Sequence, residues 1–370
     1  MCHHYDVARP RVSGLSASAD VIVVGTGIIG LCSATSIAAT EMSVILVGEH
    51  RKGEASPAAA GMLAPAVENA DGAAHDFAIA SRDLYPVYLE ELADAVGIRV
   101  PLNRLGVLQV ALSEKGVKGL QKTASAGSYW IDRTDLARLE PTLGHAMGAV
   151  MNPDDGAVDN VVLMSALNEL ANSLPRVSRQ TGSVVSVETK PGSATVTLAD
   201  GSRLSASHLV LAPGAWGASI SGAPALKALT PSRGQMVSYA GIGLRHVTYG
   251  PRGYIVPRGG ATLVGSTMEN AGFDAVTTPE GLARVESAAA EIAPALGALS
   301  PESSWAGLRP VTPDMLPLLG SDPEHPEIVY AAGHSRNGIL LAPLTGKTVA
   351  EIVSGKTPSF DLSQFRPDRF

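Results

Sequence analysis

The N-terminal part of the chain alternates apolar runs with closely spaced glycines. Residues 20–24 (DVIVV) form a short apolar run of the kind found in buried strands. The glycine-rich segment 25–30 (GTGIIG) follows, and the next residues, to about Thr40, carry no charge and suit a helix. Residues 43–47 (SVILV) form a second apolar run. The pattern predicts a strand, a glycine-rich turn, a helix and a second strand, in that order.

The segment 25–30 has the spacing GxGxxG, which binds dinucleotide phosphates when it joins a strand to a helix. Gly25 would permit the tight turn, Gly27 the approach of a pyrophosphate, and Gly30 the close packing of helix on strand. The unpaired N–H groups of the first helical turn, with Ile28 and Ile29, would face the phosphates. The alternative is a glycine-rich turn in an ordinary α/β sheet.

An acidic residue is expected at the end of the second strand, where it would bind the ribose. The expected position holds Gly48, and Glu49 is the next residue. Either the strand ends one residue later and Glu49 binds the ribose, or another group holds it.

The middle of the chain predicts a β-meander. Three runs, 184–188, 195–198 and 208–211, are separated by the turn segments KPG and ADG. The last run ends in residues 212–216 (APGAW). A meander followed by a strand that ends in glycine is typical of two-domain FAD folds. The remaining pattern predicts helices at 81–97 and 279–297, and sheet strands within 102–112 and 234–268.

Composition and charge narrow the class of protein. The chain has 370 residues, 45% of them apolar and 17% charged, as in a globular protein with a large core. The net charge of -7 disfavours nucleic acid or an anionic membrane as the main partner. The two cysteines, Cys2 and Cys32, belong to no CxxC pair, so we expect neither a disulfide framework nor a metal site.

The two ends of the chain carry weaker patterns. Residues 1–19 predict a flexible tail, and they lack the apolar middle of a secretory signal. The uncharged stretch 21–40 is interrupted by glycines and hydroxyl residues, so we interpret it as strand, turn and helix rather than a membrane span. Residues 359–370 are predicted as a C-terminal extension.

Five stretches together resemble one family of flavoproteins. They are DVIVVGTGIIG from residue 20, ASPAAAGMLAP from 55, YIVPRGGATLVGSTME from 254, WAGLRPVTPDMLPLLG from 305 and AAGHSRNGILLAPLTG from 331. The chain resembles glycine oxidases of the thiamine-biosynthesis type, in the D-amino-acid-oxidase and sarcosine-oxidase superfamily. The resemblance covers residues 20–358.

The resemblance implies two domains. One is an α/β FAD-binding domain (Rossmann-like, GxGxxG), assembled from residues 20–85, 150–225 and 300–358. The other is an inserted α+β substrate-binding domain, built on a mixed, largely antiparallel sheet, from residues 86–149 and 226–299.

The resemblance also implies how FAD is bound. Sarcosine oxidases attach the flavin through a cysteine in the C-terminal half, whereas both cysteines here precede residue 33, so we expect noncovalent FAD. The predicted contacts come from the glycine turn, the 55–65 stretch, the meander and two C-terminal segments: Gly25, Gly27, Ile28, Ile29, Gly30, Glu49, Ser56, Ala59, Ala60, Gly61, Met62, Val184, Gly214, Trp216, Gly307, Arg336, Asn337, Gly338, Ile339 and Leu340.

The C-terminal stretch GHSRNGILLAPLTG, residues 333–346, joins an apolar strand to a predicted helix. It is not a GxSxG nucleophile elbow, because two residues separate Ser335 from Gly338. The resemblance places it beside the flavin ring. A helix that begins near Pro343 would aim its positive end there, and the N–H groups of residues 337–340 would donate hydrogen bonds. Arg336 would either border the substrate or pair with a carboxylate.

The carboxylate of an amino-acid substrate needs an anchor, and a forked arginine suits an apolar cavity. Arg309 is the predicted anchor, because it lies in a short apolar strand before a proline. Arg258 is the alternative, although its position before a Gly-Gly turn predicts an exposed side chain. The resemblance implies a hydroxyl donor in Tyr254 and a pocket wall in Met268, which could instead be ordinary strand or core residues. It places Arg252 near the pocket entrance.

The resemblance predicts an oxidase of glycine or of another small amino acid or amine. Hydride would pass from the substrate α-carbon to FAD, and the imine would leave or hydrolyse to a 2-oxo acid and ammonia. Oxygen would be reduced to hydrogen peroxide, and the imine could supply thiamine thiazole synthesis. We expect a cytoplasmic homodimer or tetramer without stable membrane association.

Four alternatives remain open on the sequence. One is a D-amino-acid dehydrogenase of the same fold with a quinone-type acceptor. Another is a related amine oxidase of specialised metabolism. The third is a flavin-binding subunit without turnover, which the presence of both Arg309 and Tyr254 disfavours. The fourth is an RNA-modifying module, which the acidic charge balance disfavours.

Overall fold

The computed structural model describes residues 18–68 and 71–370. Within these ranges the helices are α1 (Ile28–Ala38), α2 (Ala55–Ala58), α3 (Gly72–Val96), α4 (Glu114–Thr123), α5 (Arg133–Leu139), α6 (Asn160–Ser173), α7 (Pro279–Ile292) and α8 (Gly338–Val353). The strands are β1 (Ser18–Val24), β2 (Val44–Gly48), β3 (Met62–Leu63), β4 (Leu102–Asn103), β5 (Val107–Ala111), β6 (Tyr129–Asp132), β7 (Gly148–Asn152), β8 (Gly156–Val158), β9 (Val177–Thr181), β10 (Val184–Lys190), β11 (Ser193–Leu198), β12 (Arg203–Leu211), β13 (Thr230–Ala240), β14 (Val247–Tyr249), β15 (Tyr254–Arg258), β16 (Ala261–Gly265), β17 (Ser303–Val311), β18 (Leu318–Ser321) and β19 (Ile328–Ala332).

The glycine-rich turn lies in a sheet whose central strands are parallel. Strands β19, β12, β1, β2 and β9 lie side by side in that order, all parallel, and β18 pairs antiparallel with β19. Strands β10 and β11 form an antiparallel meander on the first half of β12. The predicted strand, turn, helix and strand near the N-terminus are confirmed, and so is the meander.

The central strands are apolar throughout because both faces of the sheet are covered. Val21 and Val23 of β1 pack in one core with α1, α3 and α8. Ile22 and Val24, which point to the opposite face, pack in a second core with the meander. Burial on both faces explains why β1 and β2 are continuous apolar runs rather than alternating ones.

The second large sheet has the order β17, β13, β16, β15, β14, β5, β7, β6. Within the described chain its pairs are antiparallel except for β14 with β5, so the predicted mixed, largely antiparallel sheet is confirmed. Strands β7 and β17 belong to this sheet, although the boundaries predicted at 150 and 300 assigned most of their residues to the FAD-binding domain. The other domain boundaries stay predictions. A small third sheet has the order β3, β8, β4.

Both termini differ in detail from the sequence prediction. Ser18 and Ala19 belong to β1, so the strand begins inside the predicted tail, whose other residues, with Cys2, lie outside the described ranges. In the C-terminal segment 359–370, Phe365 is buried and packs edge-on against Phe77 of α3, with ring centroids 5.3 Å apart. Within residues 18–68 and 71–370, no helix is both long and apolar enough to cross a membrane.

Candidate functional site

The glycine turn lies at the carboxyl end of β1, where α1 begins. Gly25 has a φ of 111°, and an added Cβ there would lie 2.0 Å from the Ala212 carbonyl oxygen. An added Cβ at Gly30 would lie 1.8 Å from the Gly25 carbonyl oxygen. Both positions therefore need glycine for the turn to pack against α1 and the end of β12. Gly27 is the N-cap of α1 and lines a cleft at the helix N-terminus.

The cleft brings together residues from distant parts of the chain. Its cavity volume is about 370 Å³, which lies in the range of ligand sites. Every residue predicted to contact the cofactor lines it except Gly30, which packs behind the turn. Arg309, Tyr254 and Met268, predicted at the substrate, line it as well. The structure therefore places the predicted site residues together, while their individual roles stay predictions.

The 55–65 stretch is held beside the glycine turn by side-chain hydrogen bonds. Ser56 Oγ accepts a hydrogen bond of 3.0 Å from the Ile28 N–H, in the first turn of α1. Arg258 Nη2 donates to the Ala60 carbonyl oxygen over 2.6 Å and to Asn160 Oδ1 over 2.8 Å. The prediction that Arg258 is exposed is wrong, because its side chain is only 17% exposed and connects the second sheet to this stretch.

Glu49 follows the last residue of β2 and lines the cleft. Its carboxylate accepts a hydrogen bond from Ser183 Oγ and another, of 3.3 Å, from Arg51 Nε. The Ser183 bond first, and the Arg51 charge with it, lower the pKa of Glu49, so the group is anionic at neutral pH. An anion one residue beyond the strand end fits the predicted ribose contact, which stays a prediction.

The loop before α8 enters the cleft after β19. Ser335 adopts a left-handed conformation with a φ of 50°, and its N–H donates to the Pro310 carbonyl oxygen over 3.0 Å. Burial lowers the pKa of His334 to about 3, and its neutral ring lies 3.1 Å from Thr345 Oγ1. His334 therefore connects the loop to α8 through its ring.

Helix α8 begins at Gly338, so the predicted start near Pro343 is wrong. A proline inside a helix leaves the carbonyl four residues earlier without its donor, here that of Ile339. The Tyr85 hydroxyl of α3 donates to this oxygen, and Ser81 Oγ donates to the Leu340 oxygen over 2.7 Å. The Tyr85 hydroxyl replaces the missing donor, so the helix can start before Pro343, with its N-terminal residues lining the cleft.

Arg309 lies in β17, beside the backbone of Gly234 in β13. Its Nη2 donates to Ser266 Oγ over 2.6 Å, and its Nη1 donates to the Thr267 carbonyl oxygen over 3.2 Å. The Tyr254 hydroxyl lies 3.3 Å from the same Ser266 oxygen. Among residues 18–68 and 71–370, no carboxylate forms an ion pair with Arg309 at 4.0 Å or less. The guanidinium and the tyrosine hydroxyl thus form a pair of donors at one end of the cleft.

The sequence was compared with protein families. Residues 20–352 match the DAO family, whose description is FAD dependent oxidoreductase. This chain belongs to that family. The predicted family, its FAD cofactor and its fold class are confirmed by this match and by the relatives described next.

Relatives of this DAO-family chain include enzymes named glycine oxidase. The glycine oxidase of Bacillus licheniformis is 34% identical over 360 residues, which cover 95% of this chain and 97% of that protein. The Bifunctional protein ThiO/ThiG of Synechocystis sp. (strain ATCC 27184 / PCC 6803 / Kazusa) is 33% identical over 368 residues, 96% of this chain. The chain spans 55% of that relative's length, about half of it.

A solved structure shares the fold. The crystal structure of glycine oxidase from Geobacillus kaustophilus has a TM-score of 0.89 and 30% sequence identity. The match covers 95% of this chain and 99% of that one.

The cleft of this DAO-family chain fits FAD. The glycine turn presents the N-terminus of α1 to the cleft, and side chains at Gly25 and Gly30 would collide with backbone. A pyrophosphate is held in this way by backbone N–H groups and the helix dipole. Gly25, Gly27 and the first turn of α1 would therefore hold the FAD pyrophosphate. Cys32 is buried in α1, where desolvation raises the pKa of its thiol to about 12, and noncovalent attachment stays a prediction.

Three other predicted side chains lie at the edge of the site. Met268 lines the cleft with 57% of its surface exposed, so the alternative that it is a core residue is wrong. Arg336 lines the cleft and pairs with the carboxylate of Glu68, so the predicted ion pair is confirmed, while a contact with substrate stays a prediction. Arg252 pairs with Glu291 of α7 over 2.7 Å and precedes Gly253, which lines the cleft, so its predicted place near the entrance stays a prediction.

Several residues of the site were missed by the sequence analysis. Ser266 binds Arg309, and Gly234 provides the space for the guanidinium. The buried Arg233 bonds to Glu269 over 2.7 Å and to Asp274 over 2.9 Å, which fixes the segment that follows Ser266. The GSTME sequence that ends at Glu269 entered the sequence analysis only as part of the family resemblance. The contacts of Arg309 and Arg233 join segments that are far apart in the sequence, so no local pattern indicates them.

Proposed function

We propose that this chain oxidises glycine, sarcosine or another small amino acid or amine to the imine, with reduction of oxygen to hydrogen peroxide. The observation that carries the proposal is the donor pair formed by Arg309 and Tyr254, joined through Ser266. An arginine without an acidic partner in the described chain, facing a cleft that fits FAD, suits a substrate carboxylate. The glycine oxidase relatives that cover nearly the whole chain support this choice of substrate.

The chain contributes substrate binding and orientation. Arg309 would bind the substrate carboxylate with its fork, and the Tyr254 hydroxyl would donate a second hydrogen bond to it. Two donors on one carboxylate fix its direction, which holds the α-carbon in one orientation. FAD, when bound, supplies the hydride acceptor and the route by which oxygen becomes peroxide. The N-terminus of α8 faces the cleft and favours negative charge there.

A substrate panel tests the proposed reaction. The purified flavoprotein is mixed with glycine, sarcosine, small D-amino acids and simple amines, first without oxygen and then with it. We expect anaerobic bleaching of the flavin absorbance by at least one of these amines, and then peroxide formed in step with oxygen uptake. Flavin reduction without peroxide, but with rapid reduction of a quinone dye, would indicate a dehydrogenase. Failure of every amine to reduce the flavin would contradict the proposal.

The role of Arg309 has its own test. Arg309→Ala removes a charged hydrogen-bond donor, so we expect carboxylate substrates to lose about 2–3 kcal/mol of binding, seen as a raised KM. Arg203→Ala is a matched control, because Arg203 is an arginine of β12 that pairs with Glu188 at the surface and does not line the cleft. An unchanged KM in Arg309→Ala would remove Arg309 from the site.

We also propose that the imine product supplies thiazole synthesis in thiamine formation. Support comes from relatives named ThiO/ThiG, of which this chain spans about half. Adding the purified chain, glycine and oxygen to a thiazole-forming extract that lacks its own glycine-oxidising activity tests this. We expect thiazole to form with the active chain and not with Arg309→Ala. The predicted homo-oligomer and cytoplasmic location stay predictions.

A further inference from the structure

The two arginines at the substrate end of the cleft differ in their partners. Arg309 bonds only to neutral oxygens of Ser266 and Thr267 among the described residues. Arg336 donates from Nε to Glu68 Oε2 over 2.7 Å, and its Nη2 contacts the same oxygen. The Glu68 side chain is 10% exposed, whereas that of Arg336 is 50% exposed. The carboxylate is thus the enclosed member of the pair, and the cation is the member open to solvent.

The Glu68–Arg336 pair shares one electrostatic environment with Arg309. The Ser335 N–H donates to the Pro310 carbonyl oxygen over 3.0 Å, so the residues next to both arginines are in contact. Tyr249 lines the cleft, with its ring centroid 5.6 Å from that of Tyr254. Burial first, and then the charge of Glu68, raise the pKa of Tyr249, while Arg336 and Arg309 oppose the rise. Glu68, Arg336 and Arg309 line the same cleft as Tyr249, so the three charges belong to one site.

We propose that Glu68 determines the substrate class by occupying Arg336, which restricts the site to amines with a single carboxylate. The inference rests on the proposed function, since it takes Arg309 as the anchor of that carboxylate. With Arg336 neutralised, a second carboxylate on the substrate meets no available cation and lies close to the Glu68 anion. Specificity of this kind arises from an unfavourable arrangement built against the wrong ligand.

Removing the Glu68 charge should change this preference. Glu68→Gln keeps the size of the side chain and releases the Arg336 guanidinium, which could then bind a second carboxylate through charged hydrogen bonds. The half-exposed cation can be solvated in the absence of such a ligand, so the variant does not bury an unpaired charge.

Two ligands that lack an amine, and so cannot be oxidised as one, distinguish binding of the first carboxylate from binding of a second. Methoxyacetate has the shape of sarcosine, with ether oxygen in place of nitrogen and one carboxylate. Diglycolate has the same backbone with a second carboxylate, and it matches iminodiacetate. Dissociation constants of both are measured on the FAD-loaded protein from the change in the flavin absorption spectrum, which needs no turnover.

We expect the wild-type protein to bind methoxyacetate more tightly than diglycolate. In Glu68→Gln the affinity for diglycolate relative to methoxyacetate should rise by about tenfold or more, as expected for one added charged hydrogen bond. Methoxyacetate binding should change by less than about threefold, because Arg309 keeps its contacts. A relative affinity that stays at the wild-type value in Glu68→Gln overturns the proposal.

A double variant shows whether the effect acts through Arg336, and it can still overturn the proposal if Glu68→Gln alone does not fold. Glu68→Gln with Arg336→Gln removes both charges of the pair and leaves the net charge of the site unchanged. We expect its relative affinity to equal that of the wild type within about threefold. A rise in the relative affinity for diglycolate in the double variant would mean that Arg336 is dispensable for the gain. A fall would mean that Arg336 is already available to a second carboxylate in the wild type. Either result would contradict the proposal.

The same measurements separate failure of this inference from failure of the proposed function. Methoxyacetate binding to the wild-type protein, and its loss in Arg309→Ala, report on the anchor for the first carboxylate. The relative affinity for diglycolate reports on the Glu68–Arg336 pair. Sarcosine and iminodiacetate then provide the matching comparison of kcat/KM in the active flavoprotein.

Discussion

At the scale of single residues, the position of the Arg309 guanidinium, our proposed anchor for the substrate carboxylate, depends on the lack of a side chain at Gly234. An added Cβ at Gly234 would lie 2.2 Å from Arg309 Nη1 and 2.5 Å from its Cζ. The guanidinium is the far end of a flexible side chain, so it can move without breaking the strand. We expect Gly234→Ala to raise KM for carboxylate substrates by about tenfold or more, through loss of the anchor's position. Steady-state kinetics with the best substrate of the panel measures the change.

Gly119→Ala is the matched control for this substitution. Gly119 lies in α4, and an added Cβ there would meet no atom within 4 Å. Alanine at a helical position is favoured over glycine by about 1 kcal/mol, so this variant should keep its KM and gain slightly in thermal stability. If Gly234→Ala also keeps its KM, the guanidinium does not need the position seen here, and the assignment of Arg309 fails with it.

The sequence predicted individual site residues only where the local pattern around them was informative. Arg309 was found because a charged residue in a short apolar strand before a proline needs a partner or a ligand. Ser266 and Gly234 were not found, because their contacts with Arg309 depend on the pairing of β13 with β16 and β17. Arg258 was misjudged for the same reason. Its guanidinium bonds to the carbonyl of Ala60, 198 residues away in the sequence.

At the scale of secondary-structure elements, helix α8 shows how one helix supports another. The Tyr85 hydroxyl, fully buried in α3, donates to the Ile339 oxygen that Pro343 leaves without its helical donor. Tyr85→Phe would leave this buried oxygen unsatisfied, which costs about 1–3 kcal/mol. We expect the free energy of unfolding to fall by that amount. Chemical denaturation of the FAD-loaded protein measures it.

Tyr88→Phe serves as the control in the same helix. The Tyr88 hydroxyl lies 3.3 Å from the Cys32 sulfur and has a thiol, a weak partner, in place of a backbone carbonyl. We expect a smaller loss of stability than in Tyr85→Phe. Equal losses would mean that the carbonyl freed by Pro343 finds another donor and that Tyr85 contributes only its ring.

The start of α8 could not be predicted from its own sequence. Proline favours the first turn of a helix, so the local rule placed the N-terminus near Pro343. The rule assumes that a proline inside a helix leaves a carbonyl unsatisfied, and here the Tyr85 hydroxyl of α3 replaces the missing donor, while Ser81 adds a hydrogen bond to the next carbonyl. Neither Ser81 nor Tyr85 carries a sequence signal that connects it to residues more than 250 positions later.

At the scale of the whole molecule, the cleft forms because distant segments end at one edge of the parallel sheet. The glycine turn follows β1 and the loop with Arg336 follows β19, and both strands are parallel to β12, which lies between them. Ligands bind at the carboxyl ends of such strands. The apolar runs predicted these strands correctly. The sheet membership of β7 and β17 was not predictable, because their patterns suit either sheet.

A further whole-molecule feature is the buried Asp155, which joins the turn between β7 and β8 to two other segments. Its Oδ1 accepts from Arg82 Nη1 of α3 over 3.0 Å, and its Oδ2 accepts from the Ala66 N–H over 3.1 Å. Desolvation raises the pKa of Asp155 to about 6, against the lowering effect of Arg82, while the neighbouring Asp154 adds to the rise. Burial therefore outweighs the ion pair, which is the usual balance for an enclosed carboxylate.

The raised pKa fixes the direction of a pH effect on stability. Between pH 3.8 and about 6 the folded protein holds a proton on Asp155 that the unfolded chain has released. The stabilisation from this proton is complete below pH 3.8 and is lost as the pH rises through about 6. We expect the free energy of unfolding of the wild type, relative to Asp155→Asn, to fall by about 2–3 kcal/mol from pH 4 to pH 7.

Urea unfolding across this range measures the difference, and Asp154→Asn controls for the loss of one negative charge at the same turn. A relative stability that instead rises with pH would mean that the Arg82 ion pair outweighs burial and that Asp155 is held as an anion.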